Sequence, residues 1–358
     1  MSRLIRAVID TGALRANLRA LRGFAPQARV VAVVKANAYG HGLVQTALAL
    51  PEADAFGVAR LDEGIVLRDA GVKQPIVLLE GAFTSEELAD AARSAFDLVV
   101  HDARQIELLE EARSVHPFVL WLKIDTGMNR LGFRPEEFAA TLERLQRLKV
   151  PPREIRLVTH LARADERNEA MTREQLQRFK VAIRGHHFPT SIGNSAGILG
   201  WPEAHGAWIR PGIALYGVSP FADANGTSFG LRPVMTLETS VIAVRRVTRG
   251  EGVGYGAAWR AERDTTIAIL AGGYGDCLPR SLGNGSPVLI NGQRAPLVGR
   301  VSMDMIAVNV AGIADVRVGS RGVLWGAGLS VEEIAKHAGT IPYELLCGVR
   351  QRVAREIR

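Results

Sequence analysis

Short apolar runs alternate with amphipathic segments from residue 30 to residue 216. The apolar runs span residues 30–34, 55–59, 76–79, 97–100, 118–124, 155–159, 189–192 and 208–216. Segments with helical spacing lie between them, including residues 43–50, 61–70, 85–93, 103–115, 135–148 and 172–184. Apolar runs without polar alternation are typical of strands buried on both faces of a parallel sheet. About eight strand–helix units of this kind predict a (β/α)8 TIM barrel.

The pattern changes near Gly217. Short β-rich runs divided by glycine follow at residues 241–247, 266–271, 288–290, 305–310 and 322–324, with one helix at 331–338. Because such runs are typical of strands joined by turns, we expect a second, mainly β domain. The predicted organisation is an α/β chain with a barrel at residues 1–228 and a mainly β C-terminal domain at residues 229–358. A strand at 5–9 and a helix capped by Asp10 precede the first barrel strand.

Composition limits the classes of function. The 358 residues are 47% hydrophobic, which suffices for a large core. No run reaches the ~18 apolar residues of a membrane span, and the N-terminal residues lack the apolar core of a secretory signal. Two cysteines imply no disulfide framework, and the net charge of +7 comes from arginines interleaved with acidic residues. We expect a cytoplasmic protein with small-molecule partners and predict no metal site, no nucleic-acid partner and no membrane partner.

A lysine directly follows the first barrel strand, in the stretch VVKANAYGHG at residues 33–42. Lys35 is thereby expected on the C-terminal face of the barrel, where barrel active sites lie. An amine in a poorly solvated place loses its proton more readily, and the neutral amine attacks carbonyl groups to form Schiff bases. The small residues and glycines that follow let the backbone approach a ligand closely. Taken alone, the strand favours a lysine whose stem lies along the sheet and whose ammonium reaches solvent.

Polar side chains also follow later strands of the predicted barrel. Lys123 and Asp125 are two residues apart at one strand end, with Arg130 close behind. This spacing fits a satisfied charge cluster and a functional site equally well. Barrels commonly bind phosphate near strands seven and eight through backbone N–H groups and a hydroxyl, although ordinary glycine turns look the same. The residues that fit a phosphate site are Ser195, after the seventh strand, and Gly212 and Ile213, inside the eighth together with Arg210.

Six segments together resemble the motifs of alanine racemases, which are pyridoxal-phosphate enzymes built on a barrel. They are VVKANAYGHG, LKIDTGMNRLGF, WIRPGIALYG, VGYGA, GGYGD and GRVSMD, beginning at residues 33, 122, 208, 253, 272 and 299. The resemblance covers nearly the whole chain. It implies that pyridoxal 5'-phosphate binds at Lys35, and that Lys35 and Tyr255 exchange the Cα proton of alanine on opposite faces. It also implies a homodimer in which each site takes its lysine from one chain and its tyrosine from the other.

The resemblance implies roles for further residues. Arg130 would contact the cofactor and the substrate carboxylate, and Lys123 is the candidate for a carbamylated lysine that orients this arginine. Tyr274 would lie at the substrate entrance, and the Met303 backbone N–H would bind the carboxylate. The implied cofactor-binding residues are Lys35, Tyr39, His160 acting through Arg210, Asn194, Ser195, Arg210, Gly212 and Ile213.

By the same resemblance, Arg210 is the partner of the cofactor's ring nitrogen. An arginine stays protonated, so it keeps that nitrogen unprotonated and makes the ring a weaker electron sink. A weaker sink limits transamination, which suits an enzyme that only removes and returns a proton. This argues against a barrel-type amino-acid decarboxylase, which would favour a carboxylate there. The β domain with Tyr255 argues against a single-barrel pyridoxal-phosphate carrier, while a broad-specificity amino-acid racemase stays open.

Three positions depart from the family pattern. Cys277 stands where glycine is common, and Ala354 replaces a usual proline. Gln351 stands where some members place a phosphate-binding tyrosine. We therefore leave Gln351 out of the expected phosphate site and keep Tyr39 as the candidate.

Overall fold

A closed barrel of eight parallel strands forms the N-terminal part of the structure, which is a computed structural model describing residues 4–112 and 116–358. The strands are Arg29–Val33, Ala55–Val58, Ile76–Leu78, Asp97–Val100, Val119–Lys123, Glu154–Val158, Thr190–Ser191 and Trp208–Ile209. All lie within the eight apolar runs except for single residues at the start of two of them. The predicted barrel is confirmed.

Helices pack around the barrel, and all but the last lie where the sequence pattern predicts them. They are Thr11–Phe24, Leu43–Leu48, Leu61–Asp69, Ser85–Arg93, Ala103–Glu111, Phe138–Gln146, Ala170–Ala182 and Ser195–Gly200. Asp10 caps the first helix, since its side chain accepts a hydrogen bond from the backbone N–H of Ala13. The helix predicted over 103–115 ends at Glu111, and residues 113–115 of that prediction lie outside the described residues.

The eighth strand is much shorter than predicted. Only Trp208–Ile209 pairs with its neighbours, and Ile213–Tyr216 forms a 3-10 helix. Pro211 has no backbone N–H for a sheet, and the Gly212 N–H donates instead to the Ser195 hydroxyl. The prediction that Arg210, Gly212 and Ile213 lie inside this strand is therefore wrong. The apolar run reflects burial, because residues 213–216 are all buried.

The C-terminal part is mainly β, as predicted. Its strands in the eight-stranded sheet of the described residues are Met235–Val247, Thr265–Ala271, Pro287–Ile290, Gln293–Pro296, Met305–Asn309, Arg321–Trp325 and Ala354–Ile357. A two-stranded hairpin, Gly252–Val253 with Trp259–Arg260, lies beside it. The helix Val331–Ala338 has its predicted bounds, whereas the helix Pro342–Cys347 is not predicted.

The first strand of the chain belongs to this C-terminal sheet. Ile5–Ile9 pairs antiparallel with Met235–Val247 and parallel with Ala354–Ile357. The predicted barrel unit at 1–228 therefore includes one strand that lies in the other sheet. Both ends of the described chain meet there, which ties the β part to the barrel.

A buried arginine packs against two aromatic rings toward the N-terminal end of the barrel. The Arg156 guanidinium lies 4.9 Å from the Trp121 ring centroid and 4.4 Å from that of Trp208. It also pairs with the buried Asp97 carboxylate at 3.4 Å. These side chains pack in the barrel interior together with other buried residues of the strands. No helix in the described ranges is long and apolar enough to cross a membrane.

Candidate active site

A cavity of about 440 Å³ opens at the C-terminal ends of the barrel strands. The structure places most of the predicted site residues around it. Those that line it are Lys35, Tyr39, Lys123, Arg130, His160, Asn194, Ser195, Arg210, Gly212 and Ile213. Closing the barrel brings these residues together, because parallel strands direct their carboxyl ends to one face.

The backbone after Lys35 forms a left-handed helical turn. Ala36, Asn37, Ala38 and Tyr39 have φ values of 53°, 54°, 53° and 51°. For L-residues other than glycine this conformation costs about 1–2 kcal/mol per residue, so the surroundings must stabilise it. The Glu63 carboxylate accepts a hydrogen bond from the Ala36 N–H at 2.7 Å, next to the Lys35 peptide group. The turn therefore fixes the direction in which the half-buried Lys35 leaves the strand.

Gly40 ends this turn and allows the C-terminal part of the chain to contact it. A Cβ at Gly40 would lie 2.0 Å from the Leu346 carbonyl oxygen. The Arg355 side chain donates a hydrogen bond from Nε to the Gly40 carbonyl at 2.7 Å. Only glycine fits this close approach at a positive φ of 80°. The helix Pro342–Cys347 and the last strand thereby hold the lysine turn from behind.

Arg210 is held rigidly at the bottom of the cavity. Its Nη1 donates to the Ser191 hydroxyl at 2.6 Å, and its Nη2 donates to the Thr159 carbonyl at 2.8 Å. The His160 Nδ1 lies 3.3 Å from Nη2. Burial, followed by the charge of Arg210, holds the pKa of His160 well below its ordinary value, so this neutral ring accepts from the guanidinium. Burial lowers the pKa of Arg210 to about 10, which still leaves it protonated at neutral pH.

One end of the cavity is built from backbone N–H groups and hydroxyls. The Ser195 Oγ accepts hydrogen bonds from the N–H groups of Gly212 at 2.9 Å and Ala214 at 3.2 Å. A Cβ at Gly212 would lie 2.4 Å from the Tyr39 hydroxyl, so glycine makes room for that hydroxyl. Burial raises the pKa of Tyr39, which therefore stays a hydrogen-bond donor. This end can bind a phosphate group through neutral donors.

The cavity lining contains more basic than acidic side chains. Among the described residues that line it, Lys35, Lys123, Arg130 and Arg210 are basic, and Glu80 is acidic. Burial, followed by the charges of Arg210 and Arg130, lowers the pKa of Lys123 to about 8. Asp125 is turned away, since its carboxylate accepts from the N–H groups of Gly127 and Asn129. The site therefore suits a substrate with a negative charge.

Three predicted residues do not line the cavity of their own chain. Tyr255 lies on a 3-10 turn and is 69% exposed, and Met303 is 53% exposed. Tyr274 is partly buried against the core. The Arg300 guanidinium lies beside the Tyr255 turn, because a Cβ at Gly256 would come within 3.4 Å of it.

Both parts of the chain match known proteins. The N-terminal domain model of alanine racemase matches residues 9–220, and the C-terminal domain model matches residues 234–357. The chain belongs to the alanine racemase family. A family member from Aeromonas hydrophila is 48% identical over 350 residues, which are 98% of each chain.

Solved structures of alanine racemases have the same fold. The biosynthetic alanine racemase from Pseudomonas aeruginosa superposes with a TM-score of 0.96 at 45% identity, over 99% of both chains. The alanine racemase from Bartonella henselae with covalently bound pyridoxal phosphate superposes with a TM-score of 0.89 at 30% identity, over 99% of both chains. The match therefore extends to the barrel and the β part together.

The cavity lining includes further residues that the prediction lacks, among them two from an unpredicted helix. Tyr343 and Cys347 come from the helix Pro342–Cys347, which packs beside the lysine turn. The Tyr343 ring lies 6.1 Å from the Tyr39 ring, and burial raises the pKa of its hydroxyl. Gln351, in contrast, is exposed on a turn and does not line the cavity. A tyrosine just inside a helix that begins with proline is a weak signal, but Tyr343 is one of only five tyrosines.

Proposed function

We propose that the protein interconverts L-alanine and D-alanine with pyridoxal 5'-phosphate attached to Lys35. The observation that carries the proposal is the arrangement of one cavity. It joins a lysine amine, a buried arginine held by four hydrogen-bond partners, and a group of backbone N–H and hydroxyl donors. Family membership supports the reaction, and no feature of the site favours decarboxylation.

The residues present fit this cofactor at three points. Lys35 supplies the amine, and Arg210 offers a fixed positive charge to a ring nitrogen. The phosphate would be held by Ser195, Gly212 and Tyr39. The Tyr39 hydroxyl occupies the space that a side chain at position 212 would need. When bound, the cofactor supplies an electron-withdrawing ring that stabilises negative charge on the substrate Cα. The rest of the chemistry falls to protein side chains.

The proton exchange needs a base on each face of the substrate. A single base tends to return the proton to the face from which it came. Lys35 would hold the proton on one face and Tyr255 on the other, while Arg130 and the Met303 N–H bind the carboxylate. The Arg300 guanidinium lies beside the Tyr255 turn. Tyr274 would shape the entrance.

We further propose that the active protein is a homodimer with shared sites. Tyr255 and Met303 are exposed and lie outside the cavity of their own chain. In a two-fold dimer, each surface can complete the cavity of the partner, and symmetry makes two such sites. The cytoplasmic location stays a prediction.

The proposed reaction is tested with single amino acids. Incubation of the cofactor-loaded protein with L-alanine should give equal amounts of the two enantiomers, measured by chiral chromatography. L-Serine, L-lysine and L-glutamate, supplied singly, measure the breadth of specificity. Similar rates with all four would favour the broad-specificity racemase, and release of carbon dioxide with an amine product would favour the decarboxylase.

Arg210 should limit side reactions. Replacement by glutamate should slow racemisation about 10- to 100-fold, equivalent to losing one charged hydrogen bond. It should also raise the fraction of turnovers that end in the pyridoxamine form, measured by absorbance and mass spectrometry of the released cofactor. Arg210→Lys keeps the positive charge and is the matched control. An unchanged fraction in a folded Arg210→Glu protein would contradict this role.

Lys123 should be carbamylated, because carbamate formation needs a neutral amine. Since the pKa of Lys123 is lowered to about 8, a useful fraction is neutral near physiological pH. At fixed dissolved carbon dioxide, occupancy should rise as the pH rises through about 8, the value to which the pKa is lowered. Isotopically labelled carbon dioxide should give a carbamate signal by NMR that Lys123→Ala removes. The same signal in Lys123→Ala would place the carbamate elsewhere.

A further inference from the structure

His41 is a buried histidine that the proposed chemistry does not use. Its side chain is fully buried, and its Nδ1 lies 2.9 Å from the Tyr39 carbonyl oxygen and 3.0 Å from that of Ala38. Because carbonyl oxygens only accept, Nδ1 must carry the proton and donate to both. Burial lowers the pKa of His41 to about 4, so the ring is neutral at physiological pH. Within the described residues its Nε2 has no hydrogen-bond partner.

An unpartnered buried nitrogen is unfavourable, so the ring needs another reason to be there. One function of the ring is packing, since it stacks on Tyr216 with centroids 4.5 Å apart. A phenylalanine would stack equally well without leaving a buried nitrogen unpaired. What phenylalanine could not do is donate a hydrogen bond. The Nδ1–H group is therefore the property that distinguishes histidine here.

The two carbonyls that receive this hydrogen bond belong to the left-handed turn. They are the last two residues of a run of four with φ between 51° and 54°. The Glu63 carboxylate holds the first N–H of the turn, beside Lys35. The His41 imidazole holds its last carbonyls, beside Tyr39. The two ends of the turn are thus held by different side chains.

The Tyr39 end faces the part of the cavity that Gly212 opens. A Cβ at Gly212 would lie 2.4 Å from the Tyr39 hydroxyl, so this hydroxyl occupies space that the glycine leaves free. A small rotation of the Tyr39 backbone would move the hydroxyl out of that space. The Tyr39 ring also packs against Tyr216, with centroids 4.9 Å apart and the rings tilted by 32°. His41 therefore contacts the Tyr39 backbone through a hydrogen bond. The rings of His41 and Tyr39 also both contact the Tyr216 ring.

We propose that His41 is a positioning residue whose Nδ1–H holds the backbone of Tyr39, so that the Tyr39 hydroxyl stays at the phosphate end of the cavity. This inference rests on the proposed function, because the phosphate is that of pyridoxal phosphate. It predicts that loss of the donor weakens binding of the phosphate-bearing cofactor and leaves the attachment of pyridoxal, which lacks the phosphate, unchanged.

Three variants separate the hydrogen bond from the packing. His41→Phe keeps the ring and loses the donor. His41→Asn loses the ring but places an amide N–H near the position of Nδ1, whereas His41→Gln places it near the position of Nε2. The full-length proteins are stripped of cofactor and titrated with pyridoxal phosphate and, separately, with pyridoxal. Visible absorbance measures attachment, and thermal unfolding measures stability.

His41→Phe should bind pyridoxal phosphate about tenfold more weakly, which is the loss of one to two hydrogen bonds. Its affinity for pyridoxal should equal that of the wild-type protein. Its Tm should equal or exceed the wild-type value. His41→Asn should have a lower Tm but keep most of the preference for pyridoxal phosphate over pyridoxal, and His41→Gln should lose that preference. A purely structural role would instead make cofactor binding follow Tm.

Each outcome decides between the two proposals. Wild-type protein that attaches neither compound would overturn the proposed function. If the wild-type protein attaches the cofactor and His41→Phe binds pyridoxal phosphate with the same affinity, the proposed role of His41 is overturned. If His41→Phe does not fold, the comparison of Asn with Gln decides, and equal losses in these two contradict the proposal. Failure of all three variants to fold would also overturn it, since His41 would then serve the fold alone.

Discussion

Lys35→Ala should abolish racemisation and the visible absorbance of the attached cofactor. The substitution removes both the amine that would bind the cofactor and the base on one face of the substrate. Loss of a positioned base alone slows proton transfer about 10²- to 10⁴-fold, and loss of attachment adds to this. Borohydride reduction of the wild-type protein, followed by peptide mapping, should place the pyridoxyl group on the peptide that contains Lys35.

The control for this experiment is Lys73→Ala, which changes an exposed lysine that does not line the cavity. It should keep full absorbance and activity. A pyridoxyl group on another lysine, or normal absorbance in Lys35→Ala, would show that the cavity lysine is not the attachment point.

Mixing two inactive variants should restore activity if the sites are shared between subunits. Tyr255 is 69% exposed and does not line the cavity that contains Lys35. In a mixed dimer of Lys35→Ala and Tyr255→Phe chains, one shared site collects both substitutions and the other is intact. Equal mixing with free exchange makes about half the dimers mixed, so about a quarter of wild-type activity should return. Sites within one chain would give none.

A second mixture provides the opposite test. A chain carrying both substitutions is mixed equally with wild-type chain. Shared sites leave only the wild-type dimers active, which is about a quarter of full activity, whereas sites within one chain leave about half. Mass spectrometry of intact dimers verifies the exchange. No recovery in the first mixture together with one half in the second would rule out shared sites.

Much of the site could be predicted because the chemistry-bearing residues follow apolar runs. Lys35, Lys123, His160 and Arg210 each come at or just after a barrel strand. Once the alternation predicts a parallel barrel, all strand ends meet on one face. Their convergence on one cavity follows from the pattern, although they are far apart in the chain.

Other features depend on contacts between distant parts of the chain. The run at 208–216 is mostly apolar, but Pro211 and the hydrogen bond from the Gly212 N–H to Ser195 end the strand after Ile209. The strand Ile5–Ile9 looks like any other strand in sequence, yet it pairs with strands near residues 235 and 354. The local pattern of apolar and polar residues indicates burial and periodicity, but it does not identify the strand with which a given strand pairs.

The sequence alone was sufficient for the barrel, the β part and the residues at the strand ends, since each depends on short-range periodicity or on a local motif. The tertiary structure was needed for the left-handed turn, because Ala36, Ala38 and Tyr39 do not favour positive φ on their own. Distant groups stabilise it: the Glu63 carboxylate holds its start, and Arg355 and Leu346 contact its end. Such conformations are stable only where long-range contacts offset their local cost.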